Sequence, residues 1–188
     1  MEKIKLQFVS SWHELKKIKT LVMTALLMAI AVILGFYTIQ VSDSLKIGFS
    51  FIANELTGMM FGPVVGGIMA AAADILKFLV KPTGPFFFGF TFNALLAGML
   101  YGMFLYKRPL SLKRVFFANA TVSVIVNMLL ATYWISMLYG IPLMVLFPTR
   151  IIKEIIMLPI EVLLYYMVAK ALQRTKIISE FRVGDVKL

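Results

Sequence analysis

The sequence predicts an all-α integral membrane protein, a bundle of six transmembrane helices with short loops and with both termini cytoplasmic. Three observations lead there. Of its 188 residues 61% are hydrophobic and the mean hydropathy is +0.91, whereas in soluble domains about half the residues are apolar. Apolar runs near the roughly 20 residues that a bilayer core demands recur along the chain. Lys and Arg gather at alternate breaks between those runs, as the positive-inside rule requires.

The elements follow in order. The opening stretch MEKIKLQFVSSWHELKKIKT is basic but has no apolar core closing in a small-residue cleavage site, so the first run, residues 20–40, reads as a retained helix. Runs at 46–62, 65–80, 85–106, 115–139 and 148–171 supply the other five. The second and third are short and interrupted by polar residues. Turn chemistry marks the breaks: FGPVVGG, KPTGP, KRPLSLKR and YGIPLMVLFP. No low-complexity linker or internal repeat divides the chain, which reads as a single domain over residues 1–188.

Charge sets the orientation. Lys3, Lys5, Lys16, Lys17 and Lys19 precede helix one; Lys107, Arg108, Lys113 and Arg114 lie between helices four and five; Lys170, Arg174, Lys176, Arg182 and Lys187 follow helix six. An even number of spans puts all three clusters on one side, the cytoplasm, so the formal charge of +10 needs no nucleic acid to explain it. The absence of cysteine excludes disulfides and thiolate chemistry. No HExxH or GxSxG motif occurs and no histidine lies within a span, which argues against a membrane enzyme and against a metal site. Nor is there a GxxxxGK[ST] loop, so any ATP-driven step must be powered by another chain. An autonomous small secondary transporter would more often show repeats or broken helices around the midplane; the chain has Gly and Pro interruptions but no duplication, so that reading stands as an alternative.

Five basic residues are exceptions to the pattern: Lys46, Lys77, Lys81, Arg150 and Lys153 fall at or just below the outer surface. Arg150 and Lys153 lie within roughly 8 Å of that boundary if helix six enters near Pro148. Ala70, Asp74, Lys77 and Lys81 share one helical face, as do Arg150, Glu154, Met157 and Glu161. Asn54, Glu55, Asn93 and Trp134 fall in the same layer, and Asn127 nearer the midplane. Ionisable groups inside a membrane are costly and usually face a wet cavity or each other, so the simplest construction is a polar pocket opening outward. Plainer roles compete: Lys46 and Lys81 as interfacial snorkels, Asp74 and Lys77 as a structural i,i+3 pair, Glu161 as a structural partner or in a coupling role, and Trp134, Tyr133 and Tyr139 as an aromatic belt. The inner half carries small residues four apart, Ala25 and Ala29 in the first helix and Ala94, Gly98 and Gly102 in the fourth, suited to close packing within the chain or against a partner.

Two stretches, FGPVVGGIMAAAADILKFLVKPTGPFFFGFTFNALLAGMLYGMFLYKR from Phe61 and MLYGIPLMVLFPTRIIKEIIMLPIEVLL from Met137, resemble the substrate-binding S components of energy-coupling factor (ECF) vitamin transporters, and among them the folate-specific members. The likeness spans essentially the whole chain. It implies a multi-pass protein of a prokaryotic cytoplasmic membrane that captures a vitamin from outside, associates with a transmembrane coupling subunit and two ATPases, and topples to deliver its cargo. ALLMA, Ala25 to Ala29, fits the family's coupling-subunit contact. Folate would then meet Asp74, Glu55, Asn93 or Asn127 at its pterin edge. Its rings would meet Phe86, Phe88, Trp134 and Tyr139. The carboxylates of its tail would meet Arg150, Lys153, Lys81 and Lys46, with Lys77 beside them. No cofactor is expected. Another vitamin, such as pantothenate or thiamine, is the alternative cargo.

Overall fold

A computed structural model describes residues 2–37, 39–42, 45–82 and 84–174. Helix α1 (Glu2–Glu14) precedes the bundle, which comprises α2 (Ile18–Phe36), α3 (Phe51–Phe61), α4 (Pro63–Val80), α5 (Phe88–Leu105), α6 (Leu112–Val122), α7 (Ala131–Tyr139) and α8 (Leu143–Arg174). Between α6 and α7 the chain forms a π-helical segment, Ser123–Leu130, so that the rod from 112 to 139 is unbroken. Among the described residues five helical runs are long and apolar enough to cross a membrane: Ile18–Phe36, Pro63–Val80, Phe88–Leu105, Leu112–Tyr139 and Leu143–Arg174.

Three elements depart from the sequence expectation. The run at 46–62 does not form one span. Its start is an antiparallel hairpin of β1 (Ile39–Ser42) with β2 (Leu45–Ile47), and only α3 remains helical. At 1.5 Å per residue α3 is about 16 Å long, about half a bilayer core. The cause is legible afterwards: apolar residues, mostly β-branched, alternate with polar ones in IQVS and LKI, and Gly48 follows. The sixth helix begins at Leu143, leaving Pro148 and Pro159 inside it, since proline removes one donor but neighbouring helices in a membrane bundle can tolerate it. The N-terminal segment is the helix α1.

Ser11 of α1 joins that helix to the bundle. Its buried hydroxyl donates to the Phe61 carbonyl (2.7 Å) and accepts from the amides of Val64 (3.0 Å) and Val65 (3.2 Å). Those amides belong to the first turn of α4, where helical donors lack internal partners. The turn itself needs Gly62, at φ 90°, followed by Pro63, whose fixed φ suits a first helical position. Lys107 donates to Ser10 (2.8 Å), and Gln7 to the Tyr106 carbonyl (3.4 Å). The N-terminal basic cluster and the basic loop between α5 and α6 thus meet at one end of the bundle. Lys176, Arg182 and Lys187 lie outside the described residues.

Packing is closest where side chains vanish. A methyl placed on Gly66 would come within 2.8 Å of the Gly98 carbonyl, and one on Gly58 within 2.8 Å of the Gly102 amide nitrogen. One on Gly102 would strike Pro63. The Gly98 and Gly102 stripe is therefore spent inside the chain, letting α3 and α4 meet α5 backbone to backbone. Ala25 and Ala29 behave oppositely. They lie on the exposed face of α2 among Leu21, Val22, Leu26, Ile30 and Ile33. Isoleucines 151, 152, 155 and 156 of α8 are exposed as well, an apolar exterior suited to lipid and too broad for water.

Gly98→Ala should destabilise the bundle by about 1–3 kcal/mol, because the Gly66 backbone cannot yield as a side chain would. Thermal unfolding of the detergent-solubilised protein measures it; a wild-type midpoint would refute the close α4–α5 contact.

Candidate functional site

A cavity of about 460 Å³ lies among α2, α3, α4, α5, the α6–α7 rod and α8, bordered by the residues just before α5. That volume falls within the range of small-molecule sites. Asp74, Lys77, Lys81, Phe86, Asn127, Tyr139, Arg150 and Lys153 line it.

The α4 wall comes from the face that the spacing defines. Ala70 is fully buried, and above it Asp74, Lys77 and Lys81 turn to the cavity. Asp74 accepts a hydrogen bond from the Thr91 hydroxyl (3.0 Å), and no ion pair joins it to Lys77 among the described residues. The Lys77 stem passes Gly35 of α2 so closely that a methyl there would lie 2.8 Å from its Cδ. Glycine at 35 makes the room that Lys77 occupies. Lys81 donates to the Phe36 carbonyl (3.1 Å), joining the C-terminal ends of α4 and α2.

Opposite stands α8. Arg150, only 8% exposed, donates to the backbone carbonyl of Asn127 (3.1 Å). Asn127 sits in the π segment, and its amide donates to Glu154 (3.3 Å). Glu154 in turn faces Lys153 at 3.4 Å. Two cations and an amide are thereby fixed on one wall. Glu161, further along the same helix, also lines the cavity.

Several expected residues lie elsewhere. Glu55 is fully buried behind the cavity, where its carboxylate accepts from the Asn119 amide (2.9 Å); Tyr101, which does line the cavity, donates to Asn119 (3.4 Å). Glu55 is one layer too deep, because its face of α3 points at α6. Phe88 is 71% exposed and faces outward. Asn93 is buried, and its side-chain oxygen accepts from the Trp134 indole (3.1 Å), so the two residues use each other. Trp134 packs on Phe87, with ring centroids 5.6 Å apart, behind the lining rather than in it. Lys46 is on β2, and its side chain lies outside those described.

Sequence reasoning passed over other lining residues. Phe78, Phe87 and Phe90 border the cavity beside Phe86, with Phe78 and Phe86 centroids 5.0 Å apart. Helical periodicity could not find Phe87, since residues 84–87 precede α5. Ser50, Asn54, Tyr101 and Glu161 complete the polar lining among the described residues. For Glu161 a signal existed, the face it shares with Arg150. The expectation for Glu161 is a structural partner or a coupling role; among the described residues no group donates a hydrogen bond to its carboxylate.

The family model described as the ECF transporter, substrate-specific component, matches residues 19–169. The chain is 36% identical over 167 residues to the folate transporter FolT of Clostridium novyi (strain NT), covering 88% of this chain and 96% of that one. It is 32% identical over 151 residues to the FolT of Leuconostoc mesenteroides, covering 77% and 81% respectively. Among solved structures, the crystal structure of FolT bound with folic acid superposes with a TM-score of 0.77 at 37% identity, covering 82% of this chain and 95% of that one.

Asn119→Ala removes the donor on which the Glu55 carboxylate depends. A buried acceptor left alone costs about 1–3 kcal/mol, so the ligand-free protein should unfold at a clearly lower temperature. An unchanged midpoint would mean that Glu55 finds a substitute partner.

Proposed function

We propose that this chain, which belongs to the ECF transporter substrate-specific component family, captures folate in the cavity between α4 and α8 and releases it toward the cytoplasm when docked on a coupling subunit. The observation that carries the reading is the lining itself: four cations, Lys77, Lys81, Arg150 and Lys153, ring a cavity that also presents aromatic faces and acceptors. Folate offers the matching parts, a flat pterin, an aromatic linker and a glutamate tail with two carboxylates. The similarity to two FolT sequences and to a folic-acid complex supports the same cargo.

The chemistry required is recognition, not bond-making. Arg150 is prepositioned by its hydrogen bond to the Asn127 carbonyl, so less side-chain entropy is lost when a carboxylate arrives. In a low-dielectric cavity that charge-assisted contact is stronger than it would be in water. Asp74, Asn127 and Tyr139 are further contacts in this reading, with Phe86 covering the rings. The basic end formed by α1 and the α5–α6 loop faces the cytoplasm by the positive-inside rule, so the cavity opens outward and the membrane is the prokaryotic cytoplasmic one. ATP is used by two partner ATPases.

The exposed stripe of Ala25 and Ala29 is the proposed coupling-subunit contact, since small side chains let a second helix approach closely in lipid. In this reading the loaded subunit topples to carry its pocket toward the cytoplasm.

Titration calorimetry with folate on the purified chain tests the cargo. Nanomolar binding is expected, about −12 kcal/mol; no heat with any folate, but a signal with thiamine or pantothenate, would overturn it. Arg150→Ala should weaken folate by about 2–5 kcal/mol and an analogue lacking the glutamate tail hardly at all. Equal losses would remove Arg150 from the tail site. The double substitution Ala25→Leu, Ala29→Leu should leave folate binding intact while co-purification with the coupling subunit and ATP-dependent uptake fall sharply, overpacking of a close contact costing about 1–3 kcal/mol. Normal uptake would assign the stripe to lipid.

A further inference from the structure

Among the described residues two acidic side chains line the cavity, Asp74 and Glu161, and Glu161 is the deeper of them, within reach of the charge of Lys153. It follows Arg150 by three turns of α8, about 16 Å along the helix axis. Around it the lining comes from the inner parts of the other helices: Tyr101 and Ala97 of α5, and Val122 at the end of α6. Asp74, the other lining carboxylate, sits within two turns of the outer end of α4 and already accepts from Thr91. Glu161 accepts from no group among the described residues. A carboxylate enclosed by helices in a membrane must recover its lost hydration from some donor.

From this juxtaposition we infer that Glu161 reads the ligand's heterocycle, accepting two parallel N–H bonds from an amidine-like edge, while the cations nearer the mouth hold the ligand's anionic end. The inference rests on the folate reading and deepens it. A 2-amino-4-oxopteridine presents its ring N3–H and its exocyclic amino group side by side, which matches the two oxygens of one carboxylate. Tyr101 borders the same region, and its hydroxyl is turned away to Asn119, so its ring rather than its oxygen is left for the ligand. The length agrees as well: some 16 Å between Glu161 and Arg150 is comparable to an extended molecule with a ring at one end and carboxylates at the other. In this arrangement Glu161 determines specificity, because a site built to bond a donor edge rejects ligands that lack it far more strongly than an apolar pocket rejects a surplus group.

The test is calorimetry on the whole chain in detergent, with folate and with a 2-desamino-2-methyl folate analogue, for the wild type and for Glu161→Gln. Expected is a wild type that strongly prefers folate, and a variant that loses about 10- to 100-fold for folate, little for the analogue, and hence most of the discrimination. Unchanged folate affinity in Glu161→Gln, or equal losses for both ligands, overturns the inference while leaving folate as cargo. A wild type that takes no folate overturns the parent reading and this one with it. Should the Gln variant fail to accumulate, Glu161→Asp keeps the charge but shortens its reach, and at least a tenfold loss confined to folate is expected; wild-type affinity and discrimination would be contrary.

Discussion

Every polar group carried into a hydrocarbon layer must find a partner within the protein or a wet cavity, because lipid offers none. Asp74, Lys77, Arg150, Lys153, Glu154 and Glu161 all stand on helices long enough to cross a membrane, and that constraint turns them toward one another. The exterior is consequently left to Leu, Ile, Val and Phe. The interior divides in two. Glu55, Asn119 and Tyr101 are joined to one another by hydrogen bonds, with Tyr101 at the edge of the cavity, and the residues of α4 and α8 surround an open space.

Closed and open halves have different origins in the chain. Glycines 58, 66, 98 and 102 draw α3, α4 and α5 together until backbones touch, and such contact leaves no space for a ligand. On the other side, side chains hold the helices apart. The π segment matters there: Asn127 lies in it, and its carbonyl serves Arg150 while its amide serves Glu154. A wider helical turn often marks a functional site because it re-aims one residue and frees a carbonyl. Here both consequences fall on the same asparagine.

How much of this was legible beforehand depended on whether a periodicity carried it. The four-three-four spacing of Ala70, Asp74, Lys77 and Lys81 and the matching face on α8 are helical, and both faces meet at the cavity. Where the backbone is not a regular helix the pattern misleads. Phe88 was preferred to Phe87 in PFFFGF, yet α5 starts only at Phe88, which faces outward. Spacing was also silent on depth across the bundle: Glu55 and Asn93 have the right height but lie off the cavity, where each accepts one hydrogen bond, from Asn119 and from Trp134. Glu161 is the reverse case: its depth suggests a structural or coupling role, although its face leads to the cavity. The two small-residue stripes looked alike in sequence, and only packing separates the buried glycines of α5 from the exposed alanines of α2.

The central claim is that one cavity holds a ligand lengthwise, its ring toward Glu161 and its anionic end among Arg150, Lys153 and Lys81. A structure of this chain with folate bound tests that most directly. The account predicts the pterin N3–H and amino group within hydrogen-bonding distance of the Glu161 carboxylate, and the glutamate carboxylates against the cations of the rim. Folate bound in the opposite sense, with its glutamate tail inward beside Tyr101 and its pterin at Lys81, would contradict it.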